Sequence, residues 1–314
     1  MRAVRCLEST ASIVEVPEPS GPGVRVRVAS SGICGSDLHL VELFALPATL
    51  GHEFAGHLDD GTAVAVEPLD PCWVCPPCVN GEYHRCVRGP GMIIGIGKDG
   101  GMADVCVVPE TSIVPLPSGL EPRDACLVEP LAVAVHGVRR GGVSAADRVG
   151  VIGGGSIGLS AVAAVAAVGA RVDLAARHDH QRLAGEALGA SAMDEARDSR
   201  YDVVVDAAGT SESIAQAVTA TRPGGTVVML ATYWGGLQVP AFDLCGKEVS
   251  LVPASQYNRA GGVRDVDVAA SLLASRPAIA QALITHRFPL DAAAEAFATA
   301  RDRTAGAIKV VLEP

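Results

Sequence analysis

The sequence is poor in aromatic residues: Phe, Trp and Tyr make up 4% of its 314 positions. Its cores must therefore be built from Ala, Val, Leu and Ile, and these are abundant. Half the chain (49%) is hydrophobic and the mean hydropathy is +0.31. It has no excess of positive charge. A formal net charge of −10 argues against a nucleic-acid partner held through phosphates and suits a small-molecule substrate. It has no long apolar run. The most apolar stretch, Ile157–Val168, is well short of the ~20 residues that span a bilayer. Met1–Ser12 is mixed polar and has no apolar leader core, so no secretory signal is expected. No membrane association and a cytoplasmic location are the expectations. There, nine cysteines stay reduced and more often ligate metals or do chemistry than form disulfides.

The length is about twice the usual ~150-residue domain, so two domains are expected. Residues 1–70 read as short β-rich segments such as Val24–Ala29, with Pro17, Pro19, Gly21, Pro22 and Gly23 punctuating the approach. Residues 71–91 are dense in Cys, Pro and Gly without periodicity, and strand character returns over 101–117. After about 130 the pattern changes. Short apolar strands at Val149–Ile152, Arg171–Ala176, Asp202–Asp206 and Thr226–Ala231 alternate with helical stretches, which predicts a parallel sheet with right-handed crossovers. From about 258 the chain reads as helical (Val266–Ser275, Asp291–Arg301) and ends in a strand, Ala307–Leu312.

Cys72, Cys75, Cys78 and Cys86 form a C-x2-C-x2-C-x7-C array. Four thiolates this close can close tetrahedrally on Zn²⁺ with no open position, the pattern of a structural site. Such a metal organises a loop with too few apolar residues to fold by burial. An iron–sulfur cluster is the chemical rival. A second set is more dispersed. Cys34 lies in Gly32-Ile33-Cys34-Gly35-Ser36-Asp37-Leu38-His39, His52 and Glu53 in Gly51-His52-Glu53, and Glu129 in Glu129-Pro130-Leu131-Ala132. Catalytic zinc takes three protein ligands and one open position. Cys34 and His52 supply two, and Glu53 or Glu129 the third. Gly153-Gly154-Gly155-Ser156-Ile157-Gly158 fits G-x-G-x-x-G between a strand and an apolar helix. Gly153, Gly155 and Gly158 there permit a tight turn and close approach to a pyrophosphate, which rests on the helix N-terminus at Ser156 and Ile157.

Together these motifs resemble the zinc-containing medium-chain dehydrogenase/reductases of the alcohol dehydrogenase superfamily, in their polyol and threonine dehydrogenase branch. The resemblance runs from the Cys34 motif to the terminal Gly306-Ala307-Ile308-Lys309-Val310-Val311. It implies an α/β fold: a Rossmann doubly wound parallel sheet over 131–256, and a β-rich GroES-like catalytic domain from 1–130 and 257–314 that carries the structural-zinc lobe 71–91. It implies two zinc ions per chain and a nicotinamide cofactor. It also implies an alcohol or ketone substrate of polyol, cyclitol or sugar-like type and a homo-oligomer, dimer or tetramer. Ser36 and His39 match the proton relay, and Asp37 the acid that orients the metal-bound imidazole. His178, Ala207, Leu230, Ala231, Thr232 and Lys309 fall where the family meets its cofactor. Trp73, Met92, Ile93 and Ile94 flank the expected cleft. The segment 57–63 is shorter than the family's usual hairpin.

Cofactor choice turns on the end of the second Rossmann strand, where an acid would bond the ribose 2′-OH of NAD. The family spacing reaches Ala176 or Arg177, neither acidic, and Asp173 falls too early, inside the strand. Arg177 and His178 offer donors to a 2′-phosphate, so NADP(H) is favoured over NAD(H). A zinc-free reductase of the same superfamily and a non-catalytic dinucleotide sensor are the rivals. Both expect loss of metal ligands, and none is lost here.

Overall fold

A computed structural model describes residues 1–43, 46, 48–194, 199–302 and 304–314. The chain divides into two compact units, Met1–Glu129 with Asn258–Ala280 and Ile284–Pro314, and Pro130–Tyr257 with Gln281–Leu283.

The second unit holds a six-stranded parallel sheet. Its strands, in spatial order, are Ser191–Ala192, Arg171–Ala175, Arg148–Ile152, Tyr201–Asp206, Thr221–Met229 and Ser250–Pro253. Numbered within the unit this is 3-2-1-4-5-6, the Rossmann order, and the reversal between the first and fourth strands makes a crevice at their carboxyl ends. The strands are near-continuous Val and Ile runs because helices cover a parallel sheet. Helix Ser156–Val168 is apolar through most of its length, buries eight residues from Gly158 to Val165, and stops at Gly169 in the left-handed conformation (φ 88°). Helix Ser211–Ala220 starts at Thr210, whose hydroxyl accepts the Ser213 N–H at 3.1 Å.

The first unit is built on a mainly antiparallel seven-stranded sheet in the order Ile284–Pro289, Lys309–Glu313, Val24–Gly32, Glu53–His57, Ala63–Val66 and Ile113–Pro115, with Val105–Val108 also paired to Val24–Gly32. The long strand Val24–Gly32 is the axis. Its start pairs with Val105–Val108, and its last residues, Ser31 and Gly32, pair with Leu312 and Val311 on one side and with Phe54 and Glu53 on the other. Positions 311, 32 and 53 are thereby brought side by side, with Lys309 two residues along the strand from 311. Two apolar clusters fill this unit, one around Val26, Phe54, Val64 and Ile94, the other around Val4, Leu50, Met102 and Phe297.

Two local features differ from the reading of the sequence. The stretch from 258 opens with a hairpin, Arg259–Ala260 against Val263–Arg264, before helix Asp265–Ser275 begins. Gly261 and Gly262 have φ of +55° and +95°, which is hairpin-turn geometry and incompatible with a continuing helix. Ala278–Leu283 is a further helix, and Ile284–Pro289 a strand parallel to the C-terminal one. Among the described residues no helix is long and apolar enough to cross a membrane.

Candidate active site

Cys34 stands just past the end of the strand Val24–Gly32, at the start of helix Gly35–Leu43. Glu53 begins the neighbouring strand, and His52 immediately precedes it. The donor atoms of Cys34, His52 and Glu53 all lie within 4.8 Å of one another, close enough to share one ion. Glu129, at the start of helix Val128–Arg140, does not join that group. Asp37 is fully buried. One of its oxygens accepts the Cys34 N–H at 2.9 Å, and the other lies 3.3 Å from Nδ1 of His52. The imidazole is thus approached on its Nδ1 side, leaving Nε2 for a metal. Burial is the largest influence on His52 and pulls its pKa down. Asp37 and the Cys34 thiolate outweigh it and carry the pKa well above the usual value in the metal-free chain. Ser36 is half-buried, with its N–H 3.5 Å from the Cys34 sulfur, and His39 is exposed one turn further along the same helix. Residues three apart on a helix share a face, so the two lie on the same side of it.

Lys309 is placed differently from the expectation of a cofactor contact. It is 2% exposed, and its ammonium donates to Oε1 of Glu53 at 2.8 Å, to Oε2 at 2.5 Å and to the Ile33 carbonyl at 3.1 Å. A lysine has three donors, and all three are used. Burial alone would lower its pKa, but Glu53 and Cys34 raise it to about 12, so it stays charged. The pairing needs Gly32 between the two side chains. A Cβ there would sit 2.2 Å from Oε2 of Glu53 and 3.3 Å from Cδ of Lys309.

The sulfurs of Cys72, Cys75, Cys78 and Cys86 also lie within 4.8 Å of one another. The separations are 3.4 Å for Cys75–Cys78, 3.9 Å for Cys75–Cys86 and 4.0 Å for Cys72–Cys78. A Zn–S bond of ~2.3 Å in a tetrahedron gives S···S of roughly 3.8 Å, so the array fits a single ion and is too tight to enclose a multi-iron cluster. The N–H of Cys72 points at the Cys86 sulfur and that of Cys75 at the Cys72 sulfur, each at 3.3 Å. Backbone N–H groups of Val87 and Cys78 pull the Cys75 thiol down to about 6, while burial pushes the Cys78 thiol up to about 12. The lobe is tied to the rest of its unit by side chains the motif does not reveal. The Tyr83 hydroxyl donates to buried Glu67 at 2.5 Å, Glu67 accepts from Arg264 at 3.2 Å, and Arg259 lies over the rings of Trp73 and Tyr83. Met92 and Ile94, read as flanking a cleft, are core residues at 1% and 2% exposure.

In the second unit the turn after Arg148–Ile152 is shaped for close approach. Gly153 has φ +107°, and a Cβ on Gly158 would lie 1.8 Å from the Gly153 carbonyl. Nothing lies within 4 Å of a Cβ built on Gly155, the N-cap of helix Ser156–Val168, which has no capping side chain. The first N–H groups of that helix therefore have no side-chain cap, and the Ser156 hydroxyl is buried without a hydrogen-bond partner. Uncapped donors at a helix N-terminus suit a pyrophosphate. Asp173 is buried inside its strand and accepts from Arg148 and Tyr201, both at 2.8 Å, so it is committed to the fold. Arg177 is exposed beyond the strand end, and its guanidinium makes no ion pair among the described residues. His178 stacks on His180, with ring centroids 5.5 Å apart.

Asp206 was not singled out from the sequence, yet it organises the other crevice wall. Its side chain accepts from the N–H groups of Ala208 (2.9 Å) and Gly209 (3.3 Å) and from the hydroxyls of Ser213 (2.8 Å) and Tyr233 (2.7 Å). Its carbonyl accepts the N–H groups of Leu230 and Ala231. Leu230 and Ala231 are thus held to the main chain of Asp206, while its carboxylate fixes the turn that follows Ala207. The available signal was an acid ending an otherwise apolar buried strand.

Comparison with known proteins agrees with this geometry. Residues 21–118 match the alcohol dehydrogenase GroES-like domain, and residues 156–275 the zinc-binding dehydrogenase domain. The chain is 32% identical over 310 residues to the L-galactonate-5-dehydrogenase of Escherichia coli K12, covering 90% of this chain and 89% of that protein. The chain belongs to the zinc-containing medium-chain dehydrogenases. A family member from Sinorhizobium meliloti 1021, a zinc-binding dehydrogenase solved with NADP, superposes with a TM-score of 0.88 at 30% identity, over 100% of this chain and 99% of that one. An alcohol dehydrogenase from Escherichia coli CFT073 complexed with NADH gives 0.88 at 27% identity, over the same shares. The chain is accordingly a zinc- and nicotinamide-dependent oxidoreductase, with a β-rich GroES-like part and a Rossmann part.

Proposed function

We propose that this dehydrogenase oxidises a secondary alcohol of a polyol, cyclitol or sugar-acid substrate with NADP⁺, or reduces the matching ketone with NADPH. The meeting of Cys34, His52 and Glu53 within 4.8 Å carries the reading. It offers sulfur, nitrogen and oxygen donors with room for a fourth, exchangeable position. The L-galactonate-5-dehydrogenase relative supports a polyhydroxylated substrate. Two zinc ions per chain follow, one at each donor set, with Glu129 as the alternative third donor at the catalytic one.

Zinc held there supplies Lewis acidity toward the substrate oxygen, and bound nicotinamide exchanges the hydride. The chain does the rest. Asp37 orients His52, while Ser36 and His39 move the hydroxyl proton outward. Gly153, Gly155 and Gly158 admit the pyrophosphate to the N–H groups at Ser156 and Ile157. Ala207, Leu230, Ala231 and Thr232 line the nicotinamide side. Arg177, with His178 beside it, takes the 2′-phosphate. With none of the nine cysteines in a disulfide, we assign the enzyme to the reducing cytoplasm. The outer edge of Ser250–Pro253, unpaired among the described residues, supports a dimer or tetramer.

A screen of polyols, sugar acids and simple secondary alcohols with both cofactors, following reduced nicotinamide absorbance, tests this reading. Arg177→Ala should cost NADP(H) about tenfold to a hundredfold in affinity, the worth of one charged hydrogen bond of roughly 1.5–3 kcal/mol, and leave NAD(H) nearly unchanged. A wild-type preference for NAD(H), or equal losses for both, would refute the assignment.

A further inference from the structure

The catalytic donor set is crowded with negative charge. The Cys34 thiolate and the Glu53 carboxylate face one position, the Asp37 carboxylate stands behind them beside His52, and both carboxylates are fully buried. Lys309 is fixed by three hydrogen bonds with no donor to spare, and no other lysine or arginine is paired with Glu53 among the described residues. The ammonium grips both Glu53 oxygens through the gap left by Gly32, from a strand on the far side of the central one. A buried anion without a partner is costly, and groups that bond a ligating carboxylate set its direction and basicity.

We propose that Lys309 is a positioning residue of the catalytic metal site: reaching through the gap at Gly32, it fixes the direction in which the Glu53 carboxylate faces the ion. This rests on the zinc reading above. Lys309 touches neither substrate nor cofactor in this role; its effect passes entirely through Glu53.

The test is zinc affinity, measured on the full-length protein by competition with a chromophoric chelator, together with the visible spectrum of the Co²⁺-loaded enzyme. Lys309→Met should weaken zinc at the Cys34 site by about tenfold to a hundredfold, the usual cost of losing such a partner. It should also shift the Co²⁺ bands while the four-cysteine zinc stays in place. Unchanged affinity and an unchanged spectrum would overturn the proposal. Because Lys309→Met leaves Glu53 buried and unpaired, it can fail to fold. The comparison of Glu53→Gln with Glu53→Gln/Lys309→Met removes that difficulty. With no carboxylate to aim, the second substitution should change zinc affinity by no more than about twofold. A further tenfold loss would show that Lys309 acts on the metal by another route and would equally overturn it. Wild-type protein that takes up no zinc at Cys34 would sink the zinc reading itself. Tight wild-type binding with an indifferent Lys309 would sink only this inference.

Discussion

The two groups of residues in this dehydrogenase that could each hold a metal ion are assembled in opposite ways. The four cysteines of the lobe come from fifteen consecutive residues, 72 to 86, and short turns and backbone N–H···S contacts bring them together. The catalytic set comes from adjoining strands of a sheet, and its supporting lysine is 256 residues from the carboxylate it holds. The first is closed: four sulfurs fill a tetrahedron. The second has three donors of different kinds, and Asp37 and Lys309 behind them. A local site can be rigid by its own bonding. A dispersed site is only as well placed as the strands that carry it, and here buried Asp37 and Lys309 bond or face its candidate ligands.

The predictions follow that contrast, from the largest effect to the smallest. Cys34→Ala should lower kcat by roughly a thousandfold or more, because Lewis-acid stabilisation amounts to several kcal/mol at about 1.4 kcal/mol per decade. The cysteine-lobe zinc and the dinucleotide affinity should persist, since their residues lie elsewhere. Steady-state kinetics with a zinc count decides it, and a variant keeping a tenth of wild-type activity would contradict the model. Next comes pH. The raised His52 pKa means that protons compete with metal from a higher pH than at an ordinary histidine of about 6.5. As pH falls through that raised value, zinc affinity at the Cys34 site should drop by about tenfold per unit for this one proton. Chelator competition across pH measures the slope, and a flat profile between neutral and mildly acidic pH would remove His52 from the ligand set.

Smaller effects probe the supports. Gly32→Ala puts a methyl group 2.2 Å from Oε2 of Glu53. It should destabilise the protein by about 1–3 kcal/mol and loosen zinc at the catalytic site alone, as seen by denaturant unfolding and elemental analysis. Full stability would mean the Glu53–Lys309 contact is not as tight as described. Tyr83→Phe removes the hydroxyl that Glu67 accepts, and should cost about 1–2 kcal/mol with both zinc ions retained. Loss of the lobe zinc instead would show that the sulfur array depends on its anchor.

How much of this could be read from the sequence depends on chain distance. The Rossmann half was legible because its signals are contiguous: apolar strands, the glycine turn, and the helix after it. The cysteine array was legible for the same reason. Cys34 and His52 were visible only as short motifs, and gained meaning when set beside one another. Lys309 could be recognised as noteworthy, but its partner could not, because strand pairing across the sheet decides it. Gly32 looked like one more glycine, although its missing side chain is what lets Lys309 reach Glu53. Asp206 was hidden inside an apolar strand, and its role appears only when four donors converge on it. The Gly261-Gly262 turn was a local signal that the helical reading from 258 overlooked.

The account stands most directly on a single titration: stepwise zinc removal by a chelator, with metal content and turnover followed in the same sample. It predicts two zinc ions per chain at the outset. The first to leave should come from the open Cys34 site and take the activity with it, while the second stays locked among four sulfurs and the fold persists. Iron in place of zinc, a single ion per chain, or activity that survives loss of the first ion would contradict it.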